Sequence, residues 1–154
     1  MEEITFTEII SYAKIAEDNA SKFYLDAAAN ASQSNVKELL EALAAQEQKH
    51  KEYLEELDAK IKEKGTVPEV HEKVRNLGYA KMIEPSALDA DASYKDVIEV
   101  AMVKEKEAIE TYEHLMNYVD DPDAKKLFGL LLEEERRHLQ QFEKEFEDLQ
   151  DQLN

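Results

Sequence analysis

In the stretch Leu130-Leu131-Leu132-Glu133-Glu134-Glu135-Arg136-Arg137-His138-Leu139-Gln140-Gln141-Phe142, the positions Leu131, Glu135, His138 and Phe142 step by four, three and four residues. On a helix these four share one face, so a carboxylate and an imidazole stand where apolar side chains belong. An isolated ionised carboxylate buried in this way is costly unless something positive meets it. The same arrangement occurs earlier, in Leu40, Leu43, Glu47, His50, Leu54, Leu57 and Ile61. An offset of 88 residues relates Glu47 to Glu135 and His50 to His138, and carries Ala13 onto Ala101, Glu17 onto Glu105, Tyr24 onto Tyr112 and Leu43 onto Leu131. The two halves of the chain therefore read as versions of one helical hairpin.

The 154 residues suit a single domain, 1–154, with a sizeable core. Three glycines and three prolines leave long uninterrupted segments, and hydrophobic residues at 43% are enough to bury, which together predict an all-α protein. The formal charge of -17 repels nucleic-acid backbones and anionic membranes, so neither is an expected partner. The start, Met1-Glu2-Glu3-Ile4-Thr5, has no basic region followed by an apolar run, and no later run has membrane-spanning length, so a cytoplasmic location is expected. Cysteine is absent, which excludes disulfides and thiolate metal sites.

The first hairpin is expected over about 7–64. Thr7 can cap a helix whose inward seam is Ile10, Ala13, Glu17, Ala20, Tyr24, Ala27 and Ala31. A short turn through residues 30–35 leads to a second helix, capped by Ser34 or Asn35 and stopped at Gly65. Residues 65–93, broken by Pro68, Gly78 and Pro85, read as a long crossover between helices 2 and 3, with short helical pieces over Glu69 to Leu77 or around Lys81 to Ile83 and with His71 as a solvated loop residue. The second hairpin, about 94–152, begins near Ser93 or Tyr94 and carries the seam Val97, Ala101, Glu105, Ala108, Tyr112, Leu115 and Val119. Asp120-Asp121-Pro122-Asp123 then marks a turn, with Pro122 suited to the first turn of the fourth helix.

Among the acids of the third helix only Glu105 lies on its apolar seam, and the repeat selects the same residue as the partner of Glu17. Four inward glutamates and two inward histidines at matching depth, with no lysine or arginine on those seams, leave four carboxylates uncompensated. Two divalent cations would supply four positive charges, with the histidines binding as neutral imidazoles. One Glu from each of two helices and Glu-x-x-His from each of two others is the general pattern of ferritin-like di-iron and di-manganese proteins. Oxygen and imidazole ligands suit iron or manganese, and zinc fits the same donors without redox chemistry.

At these residues the chain resembles the rubrerythrin family of the ferritin-like superfamily. Lys104-Glu105-Lys106-Glu107-Ala108-Ile109-Glu110-Thr111-Tyr112 and Ala16-Glu17-Asp18-Asn19-Ala20-Ser21-Lys22-Phe23-Tyr24 are similar to the family's motif with a glutamate seven residues before a tyrosine. Glu47-Gln48-Lys49-His50 and Glu135-Arg136-Arg137-His138 are similar to its Glu-x-x-His motifs. The resemblance implies a ferritin-like antiparallel four-helix bundle with a di-iron centre on Glu17, Glu47, His50, Glu105, Glu135 and His138. It also implies reduction of hydrogen peroxide or, less efficiently, dioxygen, in a homodimer.

Tyr24 and Tyr112, two turns beyond Glu17 and Glu105, either hydrogen-bond a ligand carboxylate across the bundle or simply pack. Two departures from the family stand out. The rubredoxin-like iron domain of typical rubrerythrins needs four cysteines, so electrons here would come from a separate donor protein. Ala108 stands where typical members carry an extra glutamate, and Glu107 could replace it only on a locally rotated helix. Competing expectations are a ferroxidase that handles iron and a metal-stabilised bundle without turnover.

Overall fold

The computed structural model describes residues 5–68 and 93–153. The crossover's interior, its suggested short helices and His71 lie outside them. Four helices are present among the described residues: α1 (Phe6–Ala29), α2 (Ser34–Lys64), α3 (Tyr94–Tyr118) and α4 (Pro122–Leu153).

The helix ends show which local signals decide. Thr5, not Thr7, caps α1, its Oγ1 accepting from the Glu8 amide at 3.2 Å. Starting the helix two residues earlier than Thr7 would allow brings Phe6 into the core beside Ile9 and Ile10. Neither Ser34 nor Asn35 caps α2: Ser34 is already helical and Gln33 holds the cap position without a side-chain bond. Closing the hairpin over so few residues starts α2 early enough for Val36 to be buried in its first turn. Gly65 ends α2 in the left-handed conformation, φ 72°, its N–H donating to the carbonyls of Ile61 and Lys62. Ser93 and Asp96 form a reciprocal capping box at the start of α3. Pro122 is the first residue of α4, and Asp121 Oδ2 accepts from the Ala124 amide at 3.0 Å.

Side-chain pairs fix the helix directions. Lys14 meets Asp58 at 3.6 Å and Asp18 meets Lys51 at 3.3 Å, so α1 and α2 are antiparallel. Tyr94 with Glu145 at 3.2 Å and Arg136 with Glu113 at 2.8 Å make α3 and α4 antiparallel. Lys64 bonds Asp123 at 2.9 Å, while Glu47 faces His138 at 2.9 Å, so α2 and α4 are antiparallel as well. It follows that α2 and α3 are parallel, with Gly65 and Ser93 at opposite ends of the bundle.

Two apolar clusters fill the interior. One holds Ile10, Leu54, Leu57, Tyr112, Leu115, Phe128 and Leu131. The other holds Tyr24, Leu40, Leu43, Val97, Ile98, Ala101 and Phe142. Between them on every helix lies a buried polar layer of Glu17, Glu47, His50, Glu105, Glu135 and His138, each at most 4% exposed. The amphipathic seams thus produce a bundle whose core is apolar at both ends and charged in the middle.

Phe128, fully buried against the Tyr112 ring at 6.1 Å between centroids, reports on the first cluster. Phe128→Ala should lower unfolding free energy by about 3–5 kcal/mol in denaturant titration of the chelated protein. Leu130→Ala, at a position 42% exposed, should change it by no more than about 0.5 kcal/mol.

Candidate metal centre

Each helix delivers its polar side chains to the layer through the seam that carries its apolar ones. From α1 comes Glu17 and from α3 Glu105. The Glu-x-x-His spacing puts Glu47 and His50 on adjacent turns of one face of α2, and Glu135 and His138 likewise on α4. The structure brings all six together.

Both imidazoles turn Nδ1 inward. His50 Nδ1 lies 3.4 Å from Glu17 Oε2, 3.5 Å from Glu47 Oε2 and 2.8 Å from Glu135 Oε1. His138 Nδ1 lies 2.9 Å from Glu47 Oε1, 3.5 Å from Glu105 Oε1 and 3.5 Å from Glu135 Oε2. The donors fall into two groups, Glu17, Glu47, His50 and Glu135, and Glu47, Glu105, Glu135 and His138, within each of which the ligand atoms lie within 4.8 Å of one another. Glu47 and Glu135 belong to both groups, and each offers one oxygen to either side. The two rings are stacked nearly parallel, 5.9 Å apart at 9°.

Glu17 and Glu105 are each held by one oxygen. Tyr112 Oη donates to Glu17 Oε1 at 2.5 Å and Tyr24 Oη donates to Glu105 Oε1 at 2.6 Å. Each phenol comes from the opposite hairpin. Burial and the neighbouring carboxylates push both phenols well above the usual 10.0, so they remain protonated donors.

Among the described residues, the buried side-chain atoms without a hydrogen-bond partner are Glu17 Oε2, Glu47 Oε1, His50 Nδ1, Glu105 Oε2, Glu135 Oε1 and His138 Nδ1, one from each of the six. Such atoms are rare in folded proteins because each keeps its desolvation penalty. Here all of them converge on one layer. Four carboxylates against two divalent ions balance in charge, and oxygen with imidazole is a donor set that iron, manganese or zinc accepts. The residues therefore fit a two-metal centre.

Without metal, protons do the balancing. Burial, reinforced by the charge of Glu47, lifts the Glu17 carboxyl well above 4.5. Burial and the charges of Glu47, Glu105 and Glu17 lift Glu135 likewise. Burial also opposes ionisation of Glu47, but the close approach of Glu17 and of both histidines overrules it and holds Glu47 well below 4.5. The histidines are pulled down by burial and pulled up by the carboxylates around them. The carboxylates win, raising His138 to about 12 and His50 further still.

Three nearby residues were not singled out by pattern. Glu134 Oε2 accepts from His50 Nε2, and Gln46 Oε1 accepts from His138 Nε2. Each directly precedes a Glu-x-x-His glutamate, a signal visible only once the rings' orientation is known. Lys104, half-buried, holds its ammonium 5.3 Å from the centroid of the Phe23 ring, and burial lowers its pKa against the pull of Glu107, Glu105 and Glu47. Glu107 is exposed on a regular α3 and joins neither ligand group, so no local rotation brings it into the position left by Ala108.

Comparison with known proteins gives a consistent picture. The rubrerythrin family model matches residues 8–146. A hypothetical protein from Pyrococcus furiosus superposes with a TM-score of 0.73 at 27% identity, covering 94% of this chain and 89% of that one. A dodecameric thioferritin from Bacteroides fragilis, a bacterioferritin-related protein, gives 0.69 at 17% identity over 97% and 90% of the two chains. A two-domain protein from Anabaena variabilis with DJ-1/ThiJ/PfpI-like and ferritin-like domains gives 0.66 at 19%, covering 95% of this chain and 41% of that one. No curated protein sequence matches significantly. The fold is thus a ferritin-like four-helix bundle. Among the described residues no helix is long and apolar enough to cross a membrane.

The proton balance has a measurable sign. Groups with raised pKa values, here Glu17 and Glu135 from 4.5 and both histidines from 6.5, bind more protons folded than unfolded. Their stabilisation is complete below those ordinary values and is lost as pH rises toward the folded ones. Glu47, depressed, acts only below the carboxylate range. The chelated protein should therefore show a falling Tm from about pH 5 to pH 9, while excess Mn(II), which replaces the protons, should flatten or reverse the slope.

Proposed function

The chain belongs to the rubrerythrin family, and from that premise we propose that it is a non-haem di-iron oxidoreductase that reduces hydrogen peroxide or dioxygen, with electrons from a separate donor protein. The observation that carries this reading is the convergence of six orphaned ligand atoms into two overlapping groups sharing Glu47 and Glu135. A bound iron pair would supply the two electrons needed to reduce peroxide to two waters, one from each ion.

The chain's own residues set the conditions for that chemistry. Glu47 and Glu135, carried on α2 and α4 and common to both ligand groups, would hold a pair of ions between them. Tyr24 and Tyr112 fix Glu105 and Glu17 by one oxygen each and leave the other for metal. The apolar clusters on either side exclude bulk water, which strengthens every charge interaction in the layer. Because the sequence holds no cysteine, this chain has no thiolate iron site to act as the reductant.

A ferroxidase that takes up and releases iron is the second reading. It is favoured by the net charge of -17, which concentrates cations near the surface, and by Ala108, which leaves the centre without a fifth carboxylate. A large shelled assembly that accumulates an iron mineral would support this reading over the first.

Anaerobically loaded ferrous protein mixed with peroxide should oxidise rapidly, two irons per peroxide, with water as the product. Oxidation no faster than that of free ferrous ion would remove the peroxidase reading. Tyr24→Phe and Tyr112→Phe should keep two irons per chain yet slow the oxidation by about 10–100-fold, followed by stopped-flow absorbance.

A further inference from the structure

Within the metal layer the two hairpins match in kind at Glu17 and Glu105, Glu47 and Glu135, His50 and His138, and Tyr24 and Tyr112. The offset of 88 residues also pairs Gln46 with Glu134, and there the match fails. His50 Nε2 donates its proton to the Glu134 carboxylate, whereas His138 Nε2 donates to the neutral Gln46 amide oxygen. The inner faces offer no such difference: each position has three carboxylates and one Nδ1, and the rings are nearly parallel.

We propose that the two metal positions are unequal, the one on His50 filling first and holding its ion more tightly, because Glu134 and Gln46 receive the outward protons of two otherwise equivalent imidazoles. The inference rests on the metal-centre reading above and adds the order of filling. An imidazole that donates to a carboxylate gains anionic character and becomes the more basic ligand, while donation to an amide oxygen does this far less. Glu134 is partly exposed, its side chain 27% accessible, and reaches the layer only through His50, which is fully buried. Lys104 adds to the inequality in the same direction. Its ammonium acts on Glu105, which belongs to the His138 group alone, and its counterpart in the other hairpin is the uncharged Ala16. Glu134 and Gln46 are thus positioning residues that act through the histidines, and a chain short of metal carries one ion, at His50.

The test uses the full chain freed of metal and titrated with Mn(II) at constant pH, followed by calorimetry and by the electron paramagnetic resonance of free Mn(II). Two unequal steps are expected, with His50→Gln removing the tighter and His138→Gln the weaker. Glu134→Gln should weaken the tighter step by about 10–100-fold, and Gln46→Glu should strengthen the weaker by about tenfold. A loosened fold would weaken binding in both variants and could not produce the second result. Adding Glu134→Gln to His50→Gln should change nothing further, which separates action through the ring from a general charge effect. A Glu134→Gln variant whose tighter step is unmoved, or a tighter step that disappears with His138→Gln, would overturn the inference while leaving a two-metal centre intact. A wild-type chain that binds no Mn(II) would overturn both.

Discussion

Four carboxylates and two imidazoles are buried in one layer, and nearly every other feature of the bundle is arranged around that electrostatic load. Each carboxylate withdrawn from water costs several kcal/mol unless it is met by positive charge or by protons. The metal-free chain meets it with protons, placing them on Glu17, Glu135 and the two rings while Glu47 stays ionised. That solution leaves one atom of every ligand without a hydrogen bond. Two doubly charged ions would balance the charge and satisfy those atoms together.

The layer also couples the hairpins. Neither hairpin builds a position alone, since the His50 group takes Glu135 from α4 and the His138 group takes Glu47 from α2. The phenols cross in the same sense, Tyr112 reaching back to Glu17 and Tyr24 reaching forward to Glu105. Metal binding would in this way tie the two hairpins together, in the register that the apolar clusters on both sides hold. The internal repeat makes this economical: one seam with two polar substitutions, used twice and turned to face itself, gives a layer in which two glutamates belong to both ligand groups.

Much of this was legible in the sequence because the signal is periodic. Glu47, His50, Glu135 and His138 interrupt apolar seams at helical spacing, and the repeat then distinguished Glu105 from its acidic neighbours on α3. The helix stops at Gly65 and before Pro122 followed from backbone chemistry. The N-caps of α1 and α2 did not, because burial of Phe6 and Val36 outweighs the local preference of Thr7, Ser34 and Asn35. Gln46 and Glu134 were invisible for a different reason: their role depends on which ring nitrogen faces inward, and no spacing rule encodes a ring's orientation. The sharing of Glu47 and Glu135 was hidden likewise, since a seam gives depth along the bundle but not which carboxylate splits its oxygens.

The central claim is that this layer holds a pair of metal ions, and anomalous diffraction from crystals grown with ferrous iron or Mn(II) tests it most directly. The account predicts two peaks per chain, one enclosed by Glu17, Glu47, His50 and Glu135 and the other by Glu47, Glu105, Glu135 and His138. A single peak at saturating metal, or ions found only on the acidic surface with the six side chains still buried and paired among themselves, would contradict it.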